Sequence, residues 1–286
     1  MSSEKNAVIK VENVSFTYPD GTVALVNVDL EIYDREFMAF IGQNGSGKTT
    51  LAKLIAGLLK PTEGRVIVYG MDTRKASIHQ LATHVGYVFQ NPDHQLFNMT
   101  VYDEVAFGPR NLMLPEEEVR KRVMESIKIV GLSEEYLNES PFFLPKGLRQ
   151  RVAIASILAL RPKTIIVDEP TTGQDFKQSI EIMDFLKHLN KLGHTIIIIT
   201  HEMEIVARYA DRTVVLANGR KILDEPTRIA FTRTDVLAKA FVKPPQITRL
   251  AQALTDLGFR RDILTVDEMV EDTKRILERN RKYRRR

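Results

Sequence analysis

Apolar residues along the chain follow two rhythms, and the places where one gives way to the other outline its architecture. Val8, Val11, Val14 and Phe16 open a β-rich region, Pro19-Asp20-Gly21-Thr22 reads as a turn, and residues 23–32 resume the strand pattern. A small antiparallel sheet is expected there. Phe37-Met38-Ala39-Phe40-Ile41 is instead an unbroken apolar run, the form of a parallel strand buried on both faces, and Leu51, Leu54, Ile55 and Leu58 repeat at helical spacing within residues 49–59. Further strands are expected at 65–69 and 85–89, followed by helix and loop from 91 to 150. The best helix there starts at Pro115. Glu116, Glu117 and Glu118 suit the positive end of its dipole, and Val119, Val123, Ile127 and Val130 form one apolar face. Strands at 164–167 and 195–200 flank a helical segment at 178–192, the β-α-β rhythm of a parallel sheet, whose functional residues belong at the strands' carboxyl ends. Beyond about Glu225 the pattern changes to short helices broken by Pro244-Pro245, and Thr265-Val266-Asp267-Glu268 has the form of a capping box opening a last helix.

Composition narrows the classes. The chain has 286 residues and a 43% hydrophobic share, ordinary for a soluble protein with a full core. No stretch approaches the roughly 18 apolar residues of a membrane span. Met1-Ser2-Ser3-Glu4-Lys5-Asn6 lacks the apolar core of a signal peptide, so a cytosolic location is expected. With no cysteine there is neither a disulfide framework nor a thiolate metal site. The net charge of +4 is modest, yet six of the last eight residues, Arg279, Arg281, Lys282, Arg284, Arg285 and Arg286, are basic. That end suits anionic lipid or nucleic acid, or is simply the solvated end of a helix.

The chemistry begins after the first buried strand. Gly42-Gln43-Asn44-Gly45-Ser46-Gly47-Lys48-Thr49-Thr50 matches the phosphate-binding pattern G-x-x-x-x-G-K-[ST]. Gly42, Gly45 and Gly47 let backbone N–H groups of the loop, Asn44 and Ser46 included, wrap a phosphate chain. Lys48 supplies a charge between the β- and γ-phosphates, Thr49 a hydroxyl for Mg²⁺, and the helix start with Thr50 its dipole. Strand, loop and helix occur in the order this reading needs. Ile165-Ile166-Val167-Asp168-Glu169 is an apolar strand ending in two carboxylates. Asp168 is placed to hold Mg²⁺ through water and Glu169 to polarise an attacking water. Gln90 and His201 each lie just past a strand end, where a γ-phosphate sensor belongs.

On these motifs the chain resembles the ATPase subunits of ATP-binding-cassette transporters, from about Val8 to Glu225. The resemblance implies an α/β fold of the P-loop NTPase cassette type: a RecA-like parallel core, an N-terminal antiparallel β-subdomain and a helical subdomain at about 91–160, all within 1–225. It makes Gln90 the Q-loop glutamine near the metal, Asp168 and Glu169 the magnesium and catalytic carboxylates, Asp175 the D-loop aspartate and His201 the switch histidine. Tyr18 resembles the aromatic that stacks on adenine; as a bare residue it reads equally as a core or turn tyrosine. Gln90-Asn91-Pro92-Asp93-His94-Gln95-Leu96-Phe97 and Val105-Ala106-Phe107-Gly108-Pro109 are similar to the ATPases of energy-coupling-factor importers, which take up vitamins or transition-metal ions. Pro244-Pro245-Gln246 and Leu264-Thr265-Val266-Asp267-Glu268 look like that subfamily's C-terminal segment, which makes 226–286 a small helical dimerisation appendage ending in the basic tail. ATP and Mg²⁺ are the implied cofactors. The implied partners are a second cassette ATPase, a transmembrane coupling protein and a substrate-binding membrane subunit, at the cytoplasmic face of the membrane, with no nucleic acid. The alternatives are an ATPase of another cassette importer, a soluble cassette acting on nucleic acid or ribosomes, and a non-hydrolysing regulatory subunit. The last is disfavoured because Lys48, Asp168, Glu169 and His201 are all present.

One motif departs from the family. Its signature Leu-Ser-Gly-Gly-Gln aligns with Leu144-Pro145-Lys146-Gly147-Leu148, in which three of five positions differ. In the family two ATPases sandwich two ATP molecules, each site pairing one chain's phosphate loop with the other's signature, so the defect belongs to the partner's nucleotide. Pro145 has neither a serine hydroxyl nor an N–H, whereas Gly147 can still open the helix. Lys146 could replace the lost donors by charge or face solvent. Gln174 and Phe176 also stand where the D-loop leucine and proline usually do. A heterodimer is therefore expected, with this chain's phosphate loop completing the competent site; a homodimer with two impaired sites is the alternative.

Overall fold

The computed structural model describes residues 6–284; the segment 1–5 and, from the basic tail, Arg285 and Arg286 lie outside the described residues. Ten strands form two sheets among the described residues: β1 (Ala7–Thr17), β2 (Val23–Tyr33), β3 (Phe37–Ile41), β4 (Glu63–Val68), β5 (Met71–Asp72), β6 (Val85–Val88), β7 (Thr164–Asp168), β8 (Thr195–Ile199), β9 (Arg212–Ala217) and β10 (Arg220–Pro226). The first sheet is antiparallel, in the order β2-β1-β4-β5. The second has the order β10-β9-β3-β8-β7-β6, with β9, β3, β8, β7 and β6 parallel and β10 an antiparallel edge. β9 and β10 are not among the strands expected from the apolar pattern.

Period-two alternation splits the central strands between two cores. Phe37, Ala39 and Ile41 of β3, Ile165 and Val167 of β7, and Ile196 and Ile198 of β8 face one cluster, which takes in the helices Val101–Asn111, Glu116–Ile129, Lys146–Leu158 and Phe176–Lys191. Met38, Phe40, Ile166, Ile197 and Ile199 face the other, shared with the antiparallel sheet and the helix Lys48–Ile55. Unbroken apolar runs are what such two-sided burial requires. The expected apolar face Val119, Val123, Ile127 and Val130 is buried as one stripe. The helix expected over 49–59 is shorter, ending at Ile55 with Gly57 in the left-handed region two residues on.

The last segment has a small core of its own, Ala251, Ile263 and Met269 with Ile247, Leu254 and Phe259 against them. Within the segment, Arg228 donates to Glu268 (2.6 Å) and to the Asp262 carbonyl (2.8 Å), while Ala230, Phe231, Leu237, Ala240 and Leu264 pack into the first of the two large cores. The capping box expected at Thr265 is half formed. Thr265 Oγ1 accepts from the Glu268 N–H at 3.2 Å, but the Glu268 carboxylate, engaged by Arg228, accepts from Leu264 N rather than from Thr265 N.

Where β9 starts, the Arg212 guanidinium bridges Asp224 (2.7 and 3.0 Å) and Glu36 (3.1 Å), joining β10 to the residue before β3. Burial alone would raise the Asp224 pKa; Arg212 and Lys221 outweigh it and hold the carboxyl below its usual value. Arg212→Ala removes the guanidinium that Asp224 and Glu36 share, leaving Asp224 with Lys221 (2.9 Å) and Glu36 with the Tyr33 N–H (3.1 Å), and is expected to cost about 3 kcal/mol in denaturant unfolding. Because the folded pKa of Asp224 is depressed, its stabilisation is intact above the usual carboxylate pKa and lost as pH falls through the lowered value, so the gap between wild type and variant should shrink at acid pH.

Candidate active site

Parallel strands β3, β7, β8 and β6 end at one edge of the sheet, and chemistry follows each. After β3 the chain turns through residues 42–47 and opens the helix Lys48–Ile55 with Gly47 as N-cap at φ +100° and no capping side chain. A Cβ at Gly47 would lie 2.6 Å from the Ala24 carbonyl oxygen and 2.6 Å from Leu25 Cδ2; at Gly45, φ +75°, it would meet nothing within 4 Å. Lys48, only 7% exposed, donates from Nζ to the carbonyls of Gly42 (2.8 Å) and Gln43 (2.9 Å). Burial lowers its pKa, opposed by the carboxylates of Glu169 and Asp168. Ser46 Oγ is buried without a hydrogen-bond partner. An orphan hydroxyl, a buried ammonium and a bare helix N-terminus in one loop fit a polyphosphate, whose oxygens accept from all three.

Asp168 ends β7. Its Oδ2 accepts from Thr49 Oγ1 (3.0 Å) and from the Tyr87 hydroxyl (2.8 Å) of β6. Burial and the Asp168 charge drive the Tyr87 pKa well upward, so this phenol stays a donor. Among the described residues no cluster of three or more His, Cys, Asp or Glu could hold a metal. The hard oxygens of Thr49 and Asp168 do fit Mg²⁺, which commonly takes one or two carboxylates and completes its octahedron with phosphate and water oxygens.

Glu169 follows with φ +50°, a left-handed turn rare for a residue with a side chain, and its N–H donates to the Ile199 carbonyl (2.8 Å). Its Oε1 accepts from His201 Nδ1–H at 2.9 Å, just past β8, and its Oε2 from Thr172 Oγ1 at 3.3 Å. Gln90 stands past the end of β6. All these groups except Tyr87 and Thr172 line one cleft of about 930 Å³. Tyr18 lines it as well, its ring edge-on to Phe16 (centroids 4.9 Å apart) and its hydroxyl 3.0 Å from Thr50 Oγ1. Asn44, Gly42 and Gly45 complete the loop wall.

The remaining expected residues do not line this cleft. Pro145 is the N-cap of the helix Lys146–Leu158, without a side-chain bond. Lys146 donates to the Thr172 carbonyl (3.0 Å), Gly147 lies beside Gln174, and Asp175 caps the helix Phe176–Lys191 by accepting from Gln178 N (2.8 Å). Signature and D-loop residues therefore gather at a second place, behind Glu169. Sequence reasoning misses Tyr87, Thr172 and the cleft's far wall, formed by Phe241, Val242, Lys243, Pro244, Gln246 and Arg249. Tyr87, a hydroxyl inside an otherwise apolar strand, carries a faint local signal; the wall is a tertiary contact and carries none.

A buried β3, a glycine-rich loop feeding a helix, and β7, one strand removed from β3 across β8, ending in a carboxylate bonded to that helix's threonine define a P-loop nucleoside triphosphatase. The ABC transporter family profile matches residues 25–172. A provisionally named ABC transporter ATP-binding protein from Caldanaerobacter subterraneus subsp. tengcongensis is 49% identical over 270 residues, covering 94% of this chain but 46% of that protein, so the chain spans about half its length. The energy-coupling factor transporter ATP-binding protein EcfA2 of the same organism is 45% identical over 278 residues, covering 94% of this chain and 97% of that protein. Among solved structures, cbiO1 from Clostridium perfringens, part of the ABC transporter complex cbiONQ, superimposes with a TM-score of 0.73 at 39% identity, covering 86% of this chain and 99% of that one. The dimeric cassette MJ0796 bound to ADP and Pi gives 0.69 at 34% identity, covering 77% and 98%. The chain belongs to the ABC transporter family, as an ATPase whose hydrolysis is coupled to transport, and over most of its length it is similar to energy-coupling-factor ATP-binding proteins.

Because Gly47 combines a left-handed backbone with two close neighbours and Gly45 only the former, Gly47→Ala is expected to lower unfolding free energy by about 2–5 kcal/mol and Gly45→Ala by about 1 kcal/mol, read from urea midpoints.

Proposed function

We propose that this chain is the ATP-hydrolysing subunit of an energy-coupling-factor importer for vitamins or transition-metal ions, working at the cytoplasmic face of the membrane in a heterodimer of cassettes. The observation that carries the reading is the pairing of Glu169 with His201 at 2.9 Å in the cleft that also holds Lys48, Thr49 and Asp168. Lys48 and the loop N–H groups hold the β- and γ-phosphates, and Tyr18 stacks on the adenine. Thr49, Gln90 and Asp168 would hold Mg²⁺, which would supply charge to the phosphate oxygens. Glu169 accepts a hydrogen bond from the attacking water and aims it in line at the γ-phosphorus. His201, held by Glu169 through Nδ1, contacts the γ-phosphate. Water adds to phosphorus as the bond to the bridging oxygen breaks, leaving ADP and inorganic phosphate.

Resemblance to the EcfA2 proteins and to a component of a cbiONQ complex supports assembly with a membrane coupling protein, contacted through Gln90 and the helices of 91–160, and with a substrate-binding membrane subunit. Residues 1–225 are the cassette in this reading, and 226–286 help two ATPases dimerise. Pro145, Lys146 and Gly147 then face the partner's nucleotide, with Asp175 at the junction. Removing a serine donor of the oxyanion type costs on the order of a hundredfold in turnover, so the site completed by this signature is the slow one.

Mg·ATP turnover of the purified chain, with and without its copurifying cassette, tests the reading. Glu169→Gln should reduce turnover by about 10²-fold or more while ATP binding is retained. Turnover that survives this change refutes the assignment. Replacing the phosphate-loop lysine separately in each subunit should give unequal losses of hydrolysis and transport; equal losses refute the asymmetry.

A further inference from the structure

We propose that Lys146 is a positioning residue for Glu169. This deepens the preceding section and rests on its reading of Glu169 as the carboxylate that aims the water. Lys146 opens the helix Lys146–Leu158, in the place of the signature's first glycine, and its ammonium donates to the Thr172 carbonyl at 3.0 Å. The contact is tight: a Cβ on Gly173, φ +74°, would come within 2.3 Å of Lys146 Nζ. Thr172 in turn holds Glu169 twice, through its N–H to the Glu169 carbonyl (3.2 Å) and through its hydroxyl to Glu169 Oε2 (3.3 Å). The next turn is closed by Gln174 N donating to the Thr171 carbonyl (3.1 Å), and Thr171 donates from its hydroxyl to Glu202. Residues 169–174 are thus two consecutive tight turns, gripped from outside by one ammonium and from inside by the carboxylate they aim.

A glycine cannot make this link. A charge-assisted bond to a carbonyl is among the stronger hydrogen bonds available, and here it acts on the peptide unit that carries the hydroxyl bonded to Glu169. Glu169 itself stands in a left-handed conformation, so its direction depends on the turn that follows. Without the ammonium the turn relaxes, Thr172 withdraws, and the carboxylate keeps only His201. Lys146 thereby joins the segment expected to face the partner's nucleotide to the hydrolytic centre of its own chain.

The test is steady-state Mg·ATP hydrolysis by the ATPase dimer, formed by this chain alone or with the cassette that copurifies with it. Lys146→Met keeps the aliphatic stem and removes the donor; Lys146→Arg keeps a charged donor; Thr172→Val removes the hydroxyl. Lys146→Met and Thr172→Val should each lower kcat about tenfold with KM for ATP within about twofold, the double variant should be no slower than the worse single one, and Lys146→Arg should recover to within about threefold of wild type. A raised KM with kcat preserved would place the ammonium on nucleotide and overturn the proposal, as would unchanged kcat or losses that multiply in the double variant. Glu169→Gln run in parallel separates the two readings: turnover surviving that change sinks the role of Glu169, whatever Lys146 does.

Discussion

A strand buried on both faces can keep polar side chains only at its ends, and this constraint places the chemistry of the molecule. β3 is apolar throughout, and β7 and β8 are apolar except at Thr164, Asp168 and Thr195 at their ends, because each faces a core on either side; their parallel pairing puts every carboxyl end at the same edge. Lys48, Asp168 with Glu169, and His201 all follow from that edge. No long excursion of any loop is needed to collect them, and hydrogen bonds across that edge fix the distances: Thr49, beyond β3, to Asp168 of β7 two strands away, and His201, beyond β8, to Glu169 on the adjacent β7 side.

The same constraint explains what was legible in the sequence. Runs such as Phe37 to Ile41 can be read without a structure because two-sided burial leaves no polar position, and the phosphate loop can be read because its glycines and lysine are demanded by backbone geometry. β10 escapes because Arg220, Lys221, Asp224 and Glu225 interrupt the apolar rhythm, and an ion network through Arg212 joins it to residues distant in sequence; β9, an apolar run from Val214 to Ala217 behind Arg212, carries the same signal as β3 on a shorter stretch. Tyr87 looks like one more large residue in a strand until its hydroxyl is seen against Asp168. Thr172 is legible only once the turn beyond Glu169 is closed. Pattern reveals what a residue's immediate neighbours dictate; a partner supplied from a hundred residues away leaves little trace.

Departure from a motif and function need not be opposed. Read as letters, Leu144-Pro145-Lys146-Gly147-Leu148 is a damaged signature. In three dimensions the substituted lysine has a partner and the proline caps a regular helix, so the segment is ordered within its own chain. Loss of a donor toward one nucleotide and gain of a tether toward another centre are compatible outcomes of the same substitutions.

The wall from Phe241 to Arg249 gives the cleft a side that the phosphate loop and the strand ends do not supply. Phe241 stands there in a left-handed conformation, largely exposed, with Lys243 and Arg249 nearby along the chain. Cassettes built on the same nucleotide loop but lacking such a segment would present a differently bounded cavity. A small molecule reaching from Tyr18 to this wall would touch residues that the phosphate loop does not determine, which makes the wall a handle for selective inhibition.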